Sequence, residues 1–369
     1  MQEMIKIQLG GGRNKLRSSN LELYRILCML AIVAHHFVVN SGYTSSDGPI
    51  VTNPTAANSI FLWLFGMWGK TGINCFLLIT GYFMCKSTIT IRKFIKLMLW
   101  IYAYRIIIYA IFLFTGYESL SVTRIIKILM PAWGFNTNFT SCFIGFWLTI
   151  PFWNILIHNM TRTQHQLLLV LLVGMYSILG SVPTFHVTFN YVTWFGVIYL
   201  IASYIRMYPH PCFQNVTLWT MIMIGSITLS ALSVIALLFI GKGGYFFVSD
   251  SNKFFAVMVA VSSFMCIKNL HIPYSKTINA IGGSTFGVLL IHANSDAMRR
   301  WLWRDVVDCV GHYNLPFLQL VCFCIGVVLM IFFSCILIDR IRIKLFEEPF
   351  FKWYDKKPRL AHYETLISD

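Results

Sequence analysis

Long apolar runs recur along nearly the whole chain, separated by short polar gaps. A bilayer's hydrocarbon core takes about 20 mostly apolar residues per helix. Runs of that order lie near residues 21–40, 59–83, 95–115, 142–158, 166–182, 189–206, 217–240, 254–268, 280–295 and 315–338. The pattern predicts an all-α integral membrane protein, a bundle of about ten transmembrane helices. No internal repeat, heptad seam or low-complexity segment interrupts it, which counts against a repeat-built transporter. The organisation that follows is an N-terminal segment 1–19, a membrane domain 20–340 and a C-terminal tail 341–369.

Composition agrees. With 57% hydrophobic and 12% charged residues and a mean hydropathy of +0.67, the chain has too little polar surface to enclose a water-soluble core. Arg13, Lys15 and Arg17 precede the first apolar run, and no small-residue cleavage site follows it, so that run stays as a helix. Ten cysteines are scattered without CxxC pairs; they read as core fillers.

Charge placement gives the topology. Gaps on one side carry Lys86, Arg92 and Lys93; Arg162; Arg206; Lys268 and Lys276; and then Arg340, Arg342 and Lys344. The alternate gaps 41–58 and 183–188 have no Lys or Arg, while 116–141 and 296–314 mix basic with acidic residues and could be re-entrant or interfacial. By the positive-inside rule both termini are cytoplasmic, in a multi-pass plasma-membrane protein. The formal charge of +15 is thereby spent at helix ends, with no basic stripe or interleaved aromatics for nucleic acid. Acids are scarce: between Leu23 and Ser249 only Asp47 and Glu118 occur. Few carboxylates are then at hand to neutralise bases inside the bundle, which makes an anionic ligand worth considering.

Chemistry concentrates in the first run, ELYRILCMLAIVAHH over residues 22–36. Ionisable residues inside a span are expensive and mark function. Arg25 and His36 stand eleven residues apart, which is three helical turns plus about 20°, so they share a face roughly 16 Å apart along the axis. One extended ligand could touch both. Alone, Arg25 could be a snorkelling interfacial arginine and His36 a helix-contact histidine; their registration favours function. His35 points about 80° away from the Arg25 face, as packing or support for His36.

At these residues the chain resembles the acyltransferase-3 family of membrane acyltransferases, whose first helix has arginine, ten residues, then histidine. GINCFLLITGYF at 72–83 is similar to the family's aromatic-rich run ending in Ser/Thr-Gly-Tyr/Phe, and IGGSTFGVLLIH at 281–292 to its Ser-x-x-x-Tyr-x-x-His-type helix. The resemblance covers residues 20 to about 340. It implies transfer of an acyl group, usually acetyl from acetyl-CoA as co-substrate and with no tightly bound cofactor, to a hydroxyl of a cell-surface or lipid-linked glycan such as an exopolysaccharide. In that picture His36 is catalytic and Arg25 binds the donor. Neutral imidazole suits the task, because a sugar hydroxyl must lose its proton as it attacks a thioester. Two departures stand out: Asn74 replaces an acid found in many relatives, and Pro151 and Phe152 follow Trp147 where relatives often carry Glu or Tyr. The partner of His36 is therefore left open.

Further candidates follow from cost and placement. Lys70 and Arg105 fall within apolar runs, where a charge costs roughly 2.5–3.5 kcal/mol on insertion scales; they suggest contact with CoA phosphate or acceptor, or else Lys70 sits at the outer interface of a later-starting span and Arg105 pairs with backbone carbonyls. Arg92, Lys93 and Lys96 cluster on the cytoplasmic side, where they could meet CoA phosphates or serve topology alone. Ser284 and His292 could line the acceptor path; Trp133, Asn136 and Asn138 could touch sugar. His158, His165, His186, His210 and His271 lack the i,i+4 pairing of a metal site, and no metal is expected. The alternatives are a glycan or lipid-linked sugar transporter and a structural membrane subunit. The topology is testable: an impermeant thiol reagent on intact cells should label Asp47→Cys and spare Arg13→Cys, and the reverse pattern would invert the bundle.

Overall fold

The computed structural model describes residues 18–130, 133–134, 138–185, 187–188 and 190–356. Arg13, Lys15, Arg17, Asn136 and His186 lie outside these. The described chain is helical, without strands. It opens with α1 (Ser19–Val39), the single turn α2 (Pro49–Thr52), and α3 (Ala57–Gly66) followed by α4 (Gly69–Met84). Next come α5 (Ile91–Phe114), the short α6 (Val122–Leu129), α7 (Phe139–Asn159), α8 (Arg162–Val173), α9 (Tyr191–Met207) and α10 (Val216–Phe239). The last part holds α11 (Phe254–Asn269), α12 (Lys276–Gly282), α13 (Thr285–His292), α14 (Asp296–Arg300), α15 (Phe317–Arg342) and α16 (Glu348–Tyr354).

Among the described residues seven segments are long and apolar enough to cross a membrane: 19–39, 57–84, 91–114, 139–159, 162–181, 216–239 and 317–354. The expected spans at 189–206 and 254–268 appear as the shorter apolar helices α9 and α11, and that at 280–295 as the broken pair α12 and α13. Two further runs expected to be single helices are interrupted. α3 and α4 are separated at Met67 and Trp68, and α8 passes into a wider turn at Gly174–Ile178 and a tighter one at Leu179–Ser181. The mixed-charge loops 116–141 and 296–314 carry only short helical pieces, α6 and α14 with its following turns.

Lipid supplies no partner for the unpaired N–H groups of a helix start, and polar caps do so here. Side chains of Thr90, Asn138, Thr161, Asn190, Asn215 and Ser275 accept from backbone N–H groups at the starts of α5, α7, α8, α9, α10 and α12. The outward faces stay apolar, with Ile107, Ile111, Leu229, Leu232, Met330 and Leu337 exposed.

α1 is the hub of the bundle and packs against α3, α4, α11, α12, α13 and α15. Glycines allow the closest approaches. A Cβ on Gly282 would lie 2.5 Å from the Glu22 carboxylate of α1, and one on Gly287 would lie 2.5 Å from Asp339 of α15. Asp339 is fully buried and accepts from Trp100 Nε1 (2.9 Å), Tyr104 Oη (2.7 Å) and Arg342 Nε (2.9 Å). Arg342 also pairs with Glu347 at 2.9 Å, and Glu347 with Lys96 at 2.6 Å.

The helix therefore runs through position 340 with no break, and the described part of the segment from 341 onward is tied to α5. Arg92 grips Asp355 through two hydrogen bonds of 3.1 Å and holds that carboxyl below its ordinary value. The acid-poor stretch is thus served from outside itself, by Glu22, Asp250, Asp355 and Glu347, and the expectation of largely unneutralised bases is corrected for Arg25, Lys70, Arg92 and Lys96. Removing one partner of a buried pair costs about 3–5 kcal/mol, so Asp339→Ala should lower the thermal midpoint of the purified protein markedly, while Asp355→Ala at the exposed pair should shift it little. Thermal unfolding of the detergent-solubilised protein checks both.

Candidate functional site

α1 carries Arg25, Met29, Ile32 and His36 at intervals of four, three and four residues, a single helical stripe. That stripe lines one cavity of about 380 Å³, bounded across from it by α4, α5, α7 and the α12–α13 pair. Two of the three breaks lie against this cavity: Gly69 and Lys70 open α4 there, and Gly282 and Gly283 stand at the interruption between α12 and α13. Interrupted backbone within a membrane is tolerated where it faces protein or an aqueous cavity instead of lipid.

Arg25 stands at the N-terminal end of the stripe. Its Nη1 donates to Glu22 Oε1 at 2.9 Å, one turn earlier, and its side chain is 25% exposed. The pair fixes the guanidinium direction at the edge of the cavity that the residue lines.

His36 stands at the other end, and its Nδ1 lies 2.9 Å from His292 Nε2 of α13. The protons follow from what each atom can do. His292 Nδ1 lies 2.6 Å from the Val288 carbonyl oxygen, which only accepts, so Nδ1 carries the proton. Nε2 of the neutral ring then accepts, and His36 Nδ1 must donate to it. This leaves the lone pair of neutral His36 on Nε2. His292 is fully buried and packs edge-on against Trp303, with ring centroids 6.4 Å apart. One histidine thus orients the other, where Asn74 gives no acid. Sequence reasoning placed His292 on an acceptor path and missed this contact; the available signal was a second in-span histidine with no acid to pair it.

His35 also lines the cavity, beside His36 with ring centroids 5.7 Å apart. Its Nδ1 donates to Gly66 O at 2.6 Å across the break between α3 and α4. A Cβ on Gly69 would overlap its ring at 2.2 Å, so only glycine fits there. Lys70 joins the same wall: its Nζ donates to Tyr191 Oη at 2.6 Å and lies 3.5 Å from Asp250. Arg105 enters from α5, where its Nη1 reaches the Lys127 carbonyl at 3.4 Å.

The remaining sequence candidates fall elsewhere. Asn74 is buried away from the cavity, accepting from Trp194 Nε1 (2.9 Å) and donating to Ser251 O (2.7 Å). Trp147 stacks on Phe94 at 5.8 Å. Ser284 is buried at the start of α13 beside the cavity lining. Arg92 and Lys96 hold the C-terminal segment, and Lys93 donates to Ser87 Oγ and Thr88 O; none of the three lines the cavity. Their place at the start of α5 suits docking of α15 and α16. Asn138 lines the cavity and also a second one of about 460 Å³, to which Trp133 contributes. Among the described residues no three His, Cys, Asp or Glu side chains converge as metal ligands do.

Neither a curated protein nor a solved structure matches the chain. A family model described as an acyltransferase domain does, over residues 18–339. That interval runs from the residue before α1 to Asp339 of α15, so it takes in the His36–His292 pair and the whole cavity. The chain belongs to the acyltransferase-3 family of membrane acyltransferases.

Proposed function

We propose that the protein moves an acetyl group from acetyl-CoA to a hydroxyl of a cell-surface or lipid-linked glycan, with His36 as general base. The observation that carries the reading is the cavity along α1, with Arg25 at one end and the Nε2 lone pair of His36 at the other. In this reading ten segments cross the plasma membrane, the three short or broken ones included, with both termini cytoplasmic. Arg25 then sits at the inner interface and His36 in the outer half. Acetyl-CoA is a co-substrate, held by Arg25 through an anionic group and extended along the stripe until its thioester meets the imidazole.

His36 Nε2 takes the proton of the acceptor hydroxyl as its oxygen attacks the thioester carbon. Lys70, at the same end, supplies positive charge for the oxyanion that develops on the carbonyl. The C–S bond then breaks, and the CoA thiolate takes the proton back from the His36 imidazolium. His292 keeps Nε2 aimed at the substrate throughout, the role an acid has where it pairs a catalytic histidine.

Donor binding is tested on purified protein. Arg25→Ala should weaken CoA binding more than Arg25→Lys, which keeps the charge and loses the fork; unchanged CoA affinity in Arg25→Ala would remove the assignment. Catalysis is tested by acetylated glycan at equal membrane expression, in cells with and without the gene. His36→Ala should lose transfer, since a general base contributes about 10²–10⁴-fold, and His35→Ala should keep part of it. Wild-type acetylation from His36→Ala would end the mechanism.

The orienting role of His292 predicts a split. His292→Ala should lower kcat by roughly 10–100-fold, as when the group that orients an imidazole is lost, with the KM for acetyl-CoA little changed. His292→Gln, whose amide oxygen accepts from His36 Nδ1, should recover part of it. The pH–rate profile of the purified protein should show an acid limb, with activity falling once His36 is protonated, because imidazolium cannot accept the hydroxyl proton.

A further inference from the structure

Beyond the His36 end of the first cavity lies the second, and the two share Arg105, Asn138, Asn294 and Arg299. Six charged residues line this outer space: Arg105, Arg124, Lys127 and Arg299 against Glu118 and Asp296. Both acids are engaged, Glu118 with Arg124 at 3.2 Å and Asp296 with Arg299 at 2.9 Å. Arg105 and Lys127 have no carboxylate partner among the described residues. The guanidinium of Arg105, inside an apolar helix, has one long hydrogen bond to a backbone carbonyl, and Nε of Arg299 is buried with no acceptor. An arginine so placed calls for an anion.

α6 closes one side of this space and has two faces. Arg124 and Lys127 line the cavity, while Val122, Ile125, Ile126 and Leu129 are exposed. A helix with one basic and one apolar face suits a membrane interface, where its basic wall would stand at the depth of lipid headgroups.

We infer that the second cavity is an anion-binding subsite for the acceptor: Arg105 and Arg299, with Lys127 at the rim, hold a phosphate or carboxylate of the glycan substrate while its hydroxyl reaches His36 through the shared wall. The inference rests on the acyltransferase reading and adds the acceptor's chemical class. It also gives Arg105, which sequence left between donor and acceptor, to the acceptor.

Binding to the full chain in phosphatidylcholine nanodiscs tests it without turnover. The probes are radiolabelled dodecyl-phosphoryl-glucose, the uncharged dodecyl glucoside, and glucose 1-phosphate as competitor. Wild type should bind the phosphodiester about tenfold more tightly than the glucoside, the order of one charge-assisted hydrogen bond. Arg105→Gln should erase that preference, Arg105→Lys should keep part of it, and CoA affinity should be unchanged in both, which also shows that they fold. Glucose 1-phosphate should compete, more weakly than the lipid-linked probe.

The inference is overturned by equal binding of the two alkyl probes to wild type, or by a preference that survives Arg105→Gln. It is equally overturned if CoA affinity falls in Arg105→Gln, which would give the site to the donor's phosphates, or if glucose 1-phosphate fails to compete, which would make the alkyl chain the ligand. Absence of acyl transfer would instead sink the acyltransferase reading and leave these binding results standing.

Discussion

A bilayer interior has no water to satisfy a broken helix, so backbone that departs from the helical ladder must face protein or a wet cavity. This constraint organises the molecule. α3 and α4 part at Met67–Trp68, α12 and α13 part at Gly283–Ser284, and both interruptions lie against the cavity that α1 lines. The residues that need unusual backbone are the ones that shape the site: Gly69 makes room for the His35 ring, and Gly282 for the Glu22 carboxylate that holds Arg25. α1, packed on six neighbours, can then present ionisable groups that lipid would exclude.

The same low dielectric decides the fate of each charge. A buried base must find an acid, a carbonyl or a ligand. Lys96 and Arg342 find Glu347 and Asp339, and the result is a C-terminal helix locked to α5. Arg25 and Lys70 find acids yet stay on the cavity wall, oriented by those acids. Among the described residues Arg105 finds only a carbonyl. The gradient from fully paired to barely paired bases separates those that hold the fold from those left facing the cavities.

A histidine in place of a carboxylate behind the imidazole proposed as base changes the electrostatics of the pair. A carboxylate would stabilise the imidazolium strongly; a neutral His292 fixes the tautomer and direction of His36 while adding no charge. Its own proton is pinned by the Val288 carbonyl one turn back on α13, so the relay ends on the backbone. The aromatic contact with Trp303 completes a packed housing for the ring.

Local periodicity and residue cost made much of this legible in the sequence. Apolar run lengths specified a helical membrane protein, because helix length must match bilayer thickness. The eleven-residue interval from Arg25 to His36 placed both on one stripe of α1, because helix geometry is a property of consecutive residues. Where each helix would break was not legible, since glycines at 69 and 283 read the same in a straight helix as at an interruption. Nor was the distribution of acids: Glu22 meets Arg25 one turn along the same helix, but Asp250, Glu347 and Asp355 lie far along the chain from Lys70, Lys96 and Arg92, and only packing brings them together. The choice of His292 as the neighbour of His36 belongs to tertiary structure alone. The two are 256 residues apart, and a hydrogen bond across that separation depends on how α1 and α13 are docked, which no local pattern encodes.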